Sequence, residues 1–151
     1  MGIDHIHTRL CAILIIALLP FTNNCGNEKV SQDLDKEAGF LFGIWDDTIG
    51  VEDFIAVTKD EVVIAIAREQ LLLQASQRTL HIHGLIGRGN GGHNLSWRWH
   101  FLPSEWTLTE ESTEICDARP SAVEAWLDNL PDTLTSTPFC PLGSYIKADT
   151  Q

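Results

Sequence analysis

The stretch Thr79–Arg119, TLHIHGLIGRGNGGHNLSWRWHFLPSEWTLTEESTEICDAR, decides the fold. It holds four of the six histidines and three of the five tryptophans. Leu80 to Ile86 alternates. Side chains in a strand have period two, so Leu80, Ile82 and Ile86 share one face and His81, His83 and Leu85 the other. Ser96 to Leu102 alternates as well, with Trp97, Trp99 and Phe101 on one face and Arg98 and His100 opposite. The connector GRGNGGHN, residues 87–94, is built from glycine and asparagine, which tolerate positive φ, and reads as a hairpin loop. The two strands are thus expected to pair antiparallel. With the Leu/Ile and Trp/Phe faces on the core, His81, His83, Arg98 and His100 converge on the other face, provided the register does not slip by one. The glycines do not read as a phosphate loop. Such loops open a helix directly after a strand, and this one leads into a second strand.

Outward from the hairpin, Pro103 to Trp106 reads as a turn and Thr107 to Asp117 as a third antiparallel strand. Upstream, Phe54 to Val57 is a short strand. Thr58 and Glu61 have capping-box spacing, so a helix is expected from there to about Gln74. Asp46, Asp47, Glu52 and Asp53 form an acidic patch around a turn at Gly50. Phe40 to Trp45 is apolar, either a short strand or a segment laid over the core. Downstream, Ser121 and Glu124 make a second capping box. Val123, Trp126, Leu127 and Leu130 follow at helical spacing, and Pro131 ends that helix. Residues 133–138 read as loop, and Ser144 to Ile146 as an edge strand. The expected architecture is a small α+β domain, residues 53–151, with a mostly antiparallel sheet and two helices packed on one face.

The first 24 residues have the layout of a secretory signal. Arg9 gives a positive start, Leu10 to Leu19 an apolar run too short to span a bilayer, and Pro20 breaks it. Cys25 follows in PFTNNC, similar to a bacterial lipoprotein site whose cysteine becomes the lipidated first residue. Residues 25–52 are then a polar tether and an N-terminal segment. The chain is expected outside the cytoplasm, held in the cell envelope as a lipoprotein or secreted. Its contact with the membrane is through the lipid anchor alone.

Charge excludes two classes of partner. The 151 residues carry a net charge of -11, with 21 acidic and 10 basic side chains. Nucleic acids need a basic footprint, and anionic lipid a basic patch. Neither is present. Cys116 and Cys140 are an even pair for an oxidising compartment, so a disulfide is the default reading. Closing a loop of about 25 residues is worth roughly 3 kcal/mol in the chain-entropy model.

Four runs, HIHGLI, NLSWRWHFLP, TEICDARPSAVEAWLD and FCPLGSYI, occur in this order between about residues 53 and 147. Together they resemble the N-terminal domain of a slime-mould calmodulin-binding protein, a domain also found in short secreted or lipid-anchored bacterial proteins. The matching positions are Gly84, His100 with Pro103, the pair Cys116–Asp117, the run Arg119-Pro120-Ser121, and Cys140–Pro141. Leu142 departs from the pattern, which has an aromatic residue there. The resemblance implies no activity. Calmodulin targets are basic amphipathic helices, and neither helix here is basic, so calmodulin is not expected as a partner.

Three functional readings follow. The first is a binding or interaction module for an unidentified small ligand or protein, without catalysis or cofactor. Trp106, in a turn and so expected at the surface, is its aromatic candidate, with Arg98, Asp117 and Arg119 as polar candidates. Trp97 and Trp99 belong to the core face. The second is a zinc site on His81, His83 and His100, with Glu114 or Asp117 as fourth ligand or base, in a divalent-metal-binding protein or a metal-dependent hydrolase. The third, a hydrolytic triad drawn from Ser104, Glu105, Asp117 and His100, lacks a nucleophile elbow. The binding module is the favoured reading and the zinc site the alternative.

Overall fold

The computed structural model describes residues 36–47, 50–111, 116–129 and 138–151. The signal segment, Cys25, Glu114, the helix end at Leu130 and Pro131, and the expected loop at 133–137 lie outside them. Among the described residues, six strands and two α-helices follow in order: β1 (Ala38–Ile44), β2 (Phe54–Thr58), α1 (Glu61–Leu72), β3 (His81–Arg88), β4 (Trp99–Thr109), α2 (Pro120–Trp126), β5 (Pro138–Phe139) and β6 (Ser144–Asp149). They form two three-stranded sheets, ordered β2-β1-β6 and β4-β3-β5, with every pairing antiparallel. The α+β class, the antiparallel strands and the Cys116–Cys140 disulfide are as expected. The strands divide between two sheets instead of lying in one.

Alternation explains how the sheets meet. Phe40, Phe42 and Ile44 of β1, Phe54 and Ala56 of β2 and Ile146 of β6 are buried. Against them pack Ile82 and Ile86 of β3, Trp99, Phe101, Trp106 and Leu108 of β4, and Phe139 of β5. Rings bridge the layers. Phe54 stacks on Phe42 at 5.3 Å between centroids and meets Trp99 and Phe101 at 5.6 and 5.7 Å. Trp106 meets Phe42 edge-on at 5.9 Å. Each such pair adds about 1 kcal/mol beyond the area it buries. The segment Phe40–Trp45 therefore belongs to the domain, and β1 is the central strand of its sheet. The domain begins ahead of residue 53.

The expected hairpin forms, with Ile86 opposite Phe101 and Gly87 opposite His100. Beyond it the register shifts. Gly84 faces Trp106, so Leu102–Glu105 bulge out of β4 against a single residue of β3. The bulge reverses the parity of β4, and Phe101 and Trp106 both point inward. Pro103, which has no N–H to give a ladder, sits in this bulge on an edge strand. The expected turn at Pro103–Trp106 and the start of the expected third strand are thus one continuous strand. Trp106 is buried at 5 % exposure, where the turn reading had it at the surface. Its backbone closes so tightly on Gly84 that a Cβ there would lie 2.6 Å from the Trp106 Cα and 2.5 Å from the Glu105 carbonyl oxygen.

Both helices start differently from their capping-box readings. Asp60 is the N-cap of α1, its carboxylate accepting from the amides of Val62 and Val63 at 2.8 and 3.3 Å. Thr58 stays in β2. In α2, Arg119 precedes Pro120 at the first helical position, where proline's missing N–H costs nothing. The buried Glu52 accepts from the amide and hydroxyl of Ser121 at 2.9 and 2.6 Å. A carboxylate from the β1–β2 connection thus takes the role expected of Glu124. Arg78 closes the other end of α1, donating to the carbonyls of Leu71 and Leu73 and to those of Ile146 and Lys147 in β6.

β2 is an edge strand, and its free edge is filled by side chains. Asn94 accepts from the Ile55 amide at 3.0 Å and donates to the Trp99 carbonyl at 2.9 Å. The indole N–H of Trp97 donates to the Asp53 carbonyl at 2.8 Å, and that of Trp106 to the Val57 carbonyl at 2.7 Å. Asp53, Ile55 and Val57 are alternate residues, so all three bonds lie along one edge. Asn94 is 1 % exposed, so removing its carboxamide strands a half-buried amide and a buried carbonyl. Asn94→Ala is expected to cost about 3 kcal/mol, measured as a drop in ΔG of urea unfolding. A cost near that of a surface substitution, about 0.5 kcal/mol, would mean that Asn94 does not hold the edge.

Candidate functional site

The histidine face does not assemble as the alternation alone suggests. His81 and His83 sit opposite Thr109 and Thr107, whereas His100 sits opposite Gly87. His83 and Gly87 lie four positions apart on β3, about 13 Å at 3.3 Å per residue. All three histidines lie on the outward parity of the hairpin, but at its two ends. The register beside the loop causes the separation, since β3 runs on to Arg88 and β4 pairs with it only from Trp99. Among the described residues, no group of three His, Cys, Asp or Glu side chains is placed to hold a metal ion. Arg98 lies apart from the histidines too. It fastens α2 to the start of β4, with Nε 2.5 Å from Glu124 and Nη1 2.9 Å from Asp128.

His81 is buried, and its Nε2 has no hydrogen-bond partner. Burial lowers its pKa most, the neighbouring His83 lowers it further, and the charge of Asp117 opposes both. The ring is therefore neutral at pH 7.

Asp117 and Arg119 are the two expected binding residues that the structure brings together. They line a groove of about 290 Å³ with Ile44, Trp45, Asp46, Ala118, Pro141 and Gly143. Three distant pieces of chain build it. Ile44 at the end of β1 pairs with Ser144 at the start of β6, and the Trp45 amide donates to the Gly143 carbonyl at 2.9 Å. Tyr145 sits opposite Gly43, so Trp45, two residues on, is its diagonal neighbour on the same face. Trp45 stacks on Tyr145 with centroids 3.9 Å apart and stays 46 % exposed. The third piece is held by the Cys116–Cys140 disulfide. Beside it, the Cys140 amide donates to the Cys116 carbonyl at 3.0 Å, and Asp117 accepts from the Leu142 amide at 3.0 Å. Arg119 pairs with Asp46 across the groove.

The groove therefore offers an indole face, carboxylates and a guanidinium, but no nucleophile beside a base. Trp45 and Asp46 were missed in the sequence. Trp45 ends an apolar run that reads as core, and only the acidic cluster directly after it marks it as a surface position. Of the tryptophans in Thr79–Arg119, Trp99 and Trp106 are buried, and Trp97 is half-buried and bonded to Asp53 just ahead of β2.

The neutrality of His81 gives a pH dependence. A histidine with a lowered folded pKa binds protons more readily in the unfolded chain, so stability is lost as pH falls below about 6.5. His81→Leu is expected to flatten this acid limb below about pH 6.5, measured by denaturant midpoint against pH. An unchanged limb would show that His81 titrates normally.

The sequence model of one family, the N-terminal domain of calmodulin-binding protein 74, matches residues 37–151, and the chain belongs to that family. The match takes in β1 and is longer than the span of the resemblance read from the four runs. No curated protein and no solved structure matches the chain.

Proposed function

We propose that this member of the calmodulin-binding protein 74 N-terminal domain family is an extracytoplasmic, lipid-anchored binding protein, and that the groove at Trp45 is its binding site for a carbohydrate. The observation that carries the reading is the Trp45 indole. It is propped on Tyr145, half-exposed, and bordered by Asp46, Asp117 and Arg119. A pyranose ring has an apolar face of C–H groups and a rim of hydroxyls. The first stacks on an indole, and the second bonds to carboxylates and a guanidinium. The net charge of -11 suits a neutral sugar better than an anionic one.

The location rests on the leader and on the thiol chemistry. Arg9, the apolar run Leu10–Leu19 and Cys25 support export and lipidation. The Cys116–Cys140 disulfide suits an oxidising compartment. Expressed in a bacterial host, the chain is expected in the membrane fraction with Cys25 as its lipidated first residue by mass spectrometry. Cys25→Ser is expected to move it to the soluble fraction. Equal partitioning of the two would remove the anchor from the reading.

The groove is tested with a glycan array of neutral and N-acetylated oligosaccharides, followed by calorimetric titration of the best hit. Trp45→Ala is expected to weaken binding roughly tenfold or more, equivalent to about 1.4 kcal/mol. Trp126→Ala, at the other exposed tryptophan, is expected to leave it unchanged. No glycan bound, or equal binding by both variants, overturns the assignment.

A further inference from the structure

The glycine-rich loop between β3 and β4 aims two carbonyl groups at two histidines. Gly89 and Gly91 take positive φ, 80° and 60°, which side-chain-bearing residues rarely adopt. The Gly89 carbonyl accepts from His100 Nδ1 at 2.7 Å, and the Gly91 carbonyl accepts from His93 Nδ1 at 2.9 Å. A carbonyl oxygen can only accept. Each ring therefore carries a proton on Nδ1, and in its neutral form keeps Nε2 as a bare lone pair. This is the tautomer of an Nε2 metal ligand, and a backbone carbonyl on the far nitrogen is the usual support of such a ligand.

The two rings meet edge to face. Their centroids are 5.6 Å apart and their planes lie at 85°. A cation about 2.0–2.1 Å from each Nε2 sets two imidazole centroids roughly 5–6 Å apart. His93 Nε2 is buried and has no hydrogen-bond partner. Burial is the largest influence lowering the His93 pKa, and His100 adds to it against the Gly91 carbonyl and Glu37, so the ring is unprotonated at pH 7. Gly91 has no room for a side chain, since a Cβ there would lie 2.6 Å from His100 Cδ2 and 2.7 Å from His93 Cε1.

We propose that His93 and His100 form a two-imidazole site for a borderline divalent cation, Cu²⁺ or Zn²⁺, bound through both Nε2 atoms with water at the remaining positions. Imidazole suits these ions, and Cu²⁺ binds tightest in the divalent series. The site differs from a set drawn from His81, His83 and His100. It uses a histidine of the loop and leaves the two at the far end of β3 out.

The test titrates the full chain with Cu²⁺ by calorimetry and reads the bound ion by electron paramagnetic resonance. One ion per chain is expected, with hyperfine structure from two imidazole nitrogens and affinity falling as pH drops below the imidazole range. His93→Gln and His100→Gln are each expected to lose the ion and the two-nitrogen signal, whereas His83→Gln keeps both. Thermal melting without metal confirms that each variant is folded. No stoichiometric binding by the parent chain, or binding that survives in folded His93→Gln and His100→Gln, overturns the proposal.

Discussion

The fold depends on the sealing of the free edge of β2. A sandwich of two three-stranded sheets has open edges, and an open edge beside a buried core leaves backbone groups that neither water nor a neighbouring strand can satisfy. Here the partner is a row of side chains from the hairpin stretch. Two indole N–H groups and one carboxamide take the place of a fourth strand at Asp53, Ile55 and Val57. The three bonds also fix where the second sheet stands against the first. Trp106 reaches β2 only because the bulge in β4 has turned it inward, and the bulge closes on β3 only because Gly84 has no side chain.

Much of this was legible in the sequence, and the failures share a cause. Alternation in residues 80–86 and the glycine loop located the hairpin, and two cysteines located the disulfide. Both rest on local pattern or on counting. The bulge at Leu102–Glu105 was not legible, because Pro103 reads as a turn until its strand neighbours are known. The fate of Trp106 followed from that misreading, whereas the separation of His100 from His81 followed from the register beside the loop, where Gly87 faces His100. β1 was ambiguous for another reason. Buried on both faces, it reads as a plain apolar run, which periodicity cannot assign. The caps of both helices went to Asp60 and Glu52, residues whose roles depend on chain geometry more than on spacing.

The candidate groove was legible only in part. Asp117 and Arg119 stood out in the run C-D-x-R-P-S, but their partners Trp45 and Asp46 lie about seventy residues upstream. What joins them is the pairing of β1 with β6 and the disulfide beside Asp117. Neither leaves a mark in the residues around Trp45. The loop histidines are a similar case, since the meaning of His93 rests on which way two glycine carbonyls point.

Arg78 has a consequence of another kind. Its guanidinium ties the last carbonyls of α1 to two carbonyls of β6, pieces of chain some seventy residues apart. α1 buries only Val63 and Ala67 fully and leaves Val62 and Leu72 exposed, so its own packing is thin. A helix packed so lightly would ordinarily fray alone, in a local opening of low free energy. With Arg78 in place, loosening the end of α1 strips donors from β6, and loosening β6 uncaps α1. The early helix and the final strand are thereby coupled through one side chain, and their amide protons are expected to exchange with solvent as a single cooperative unit.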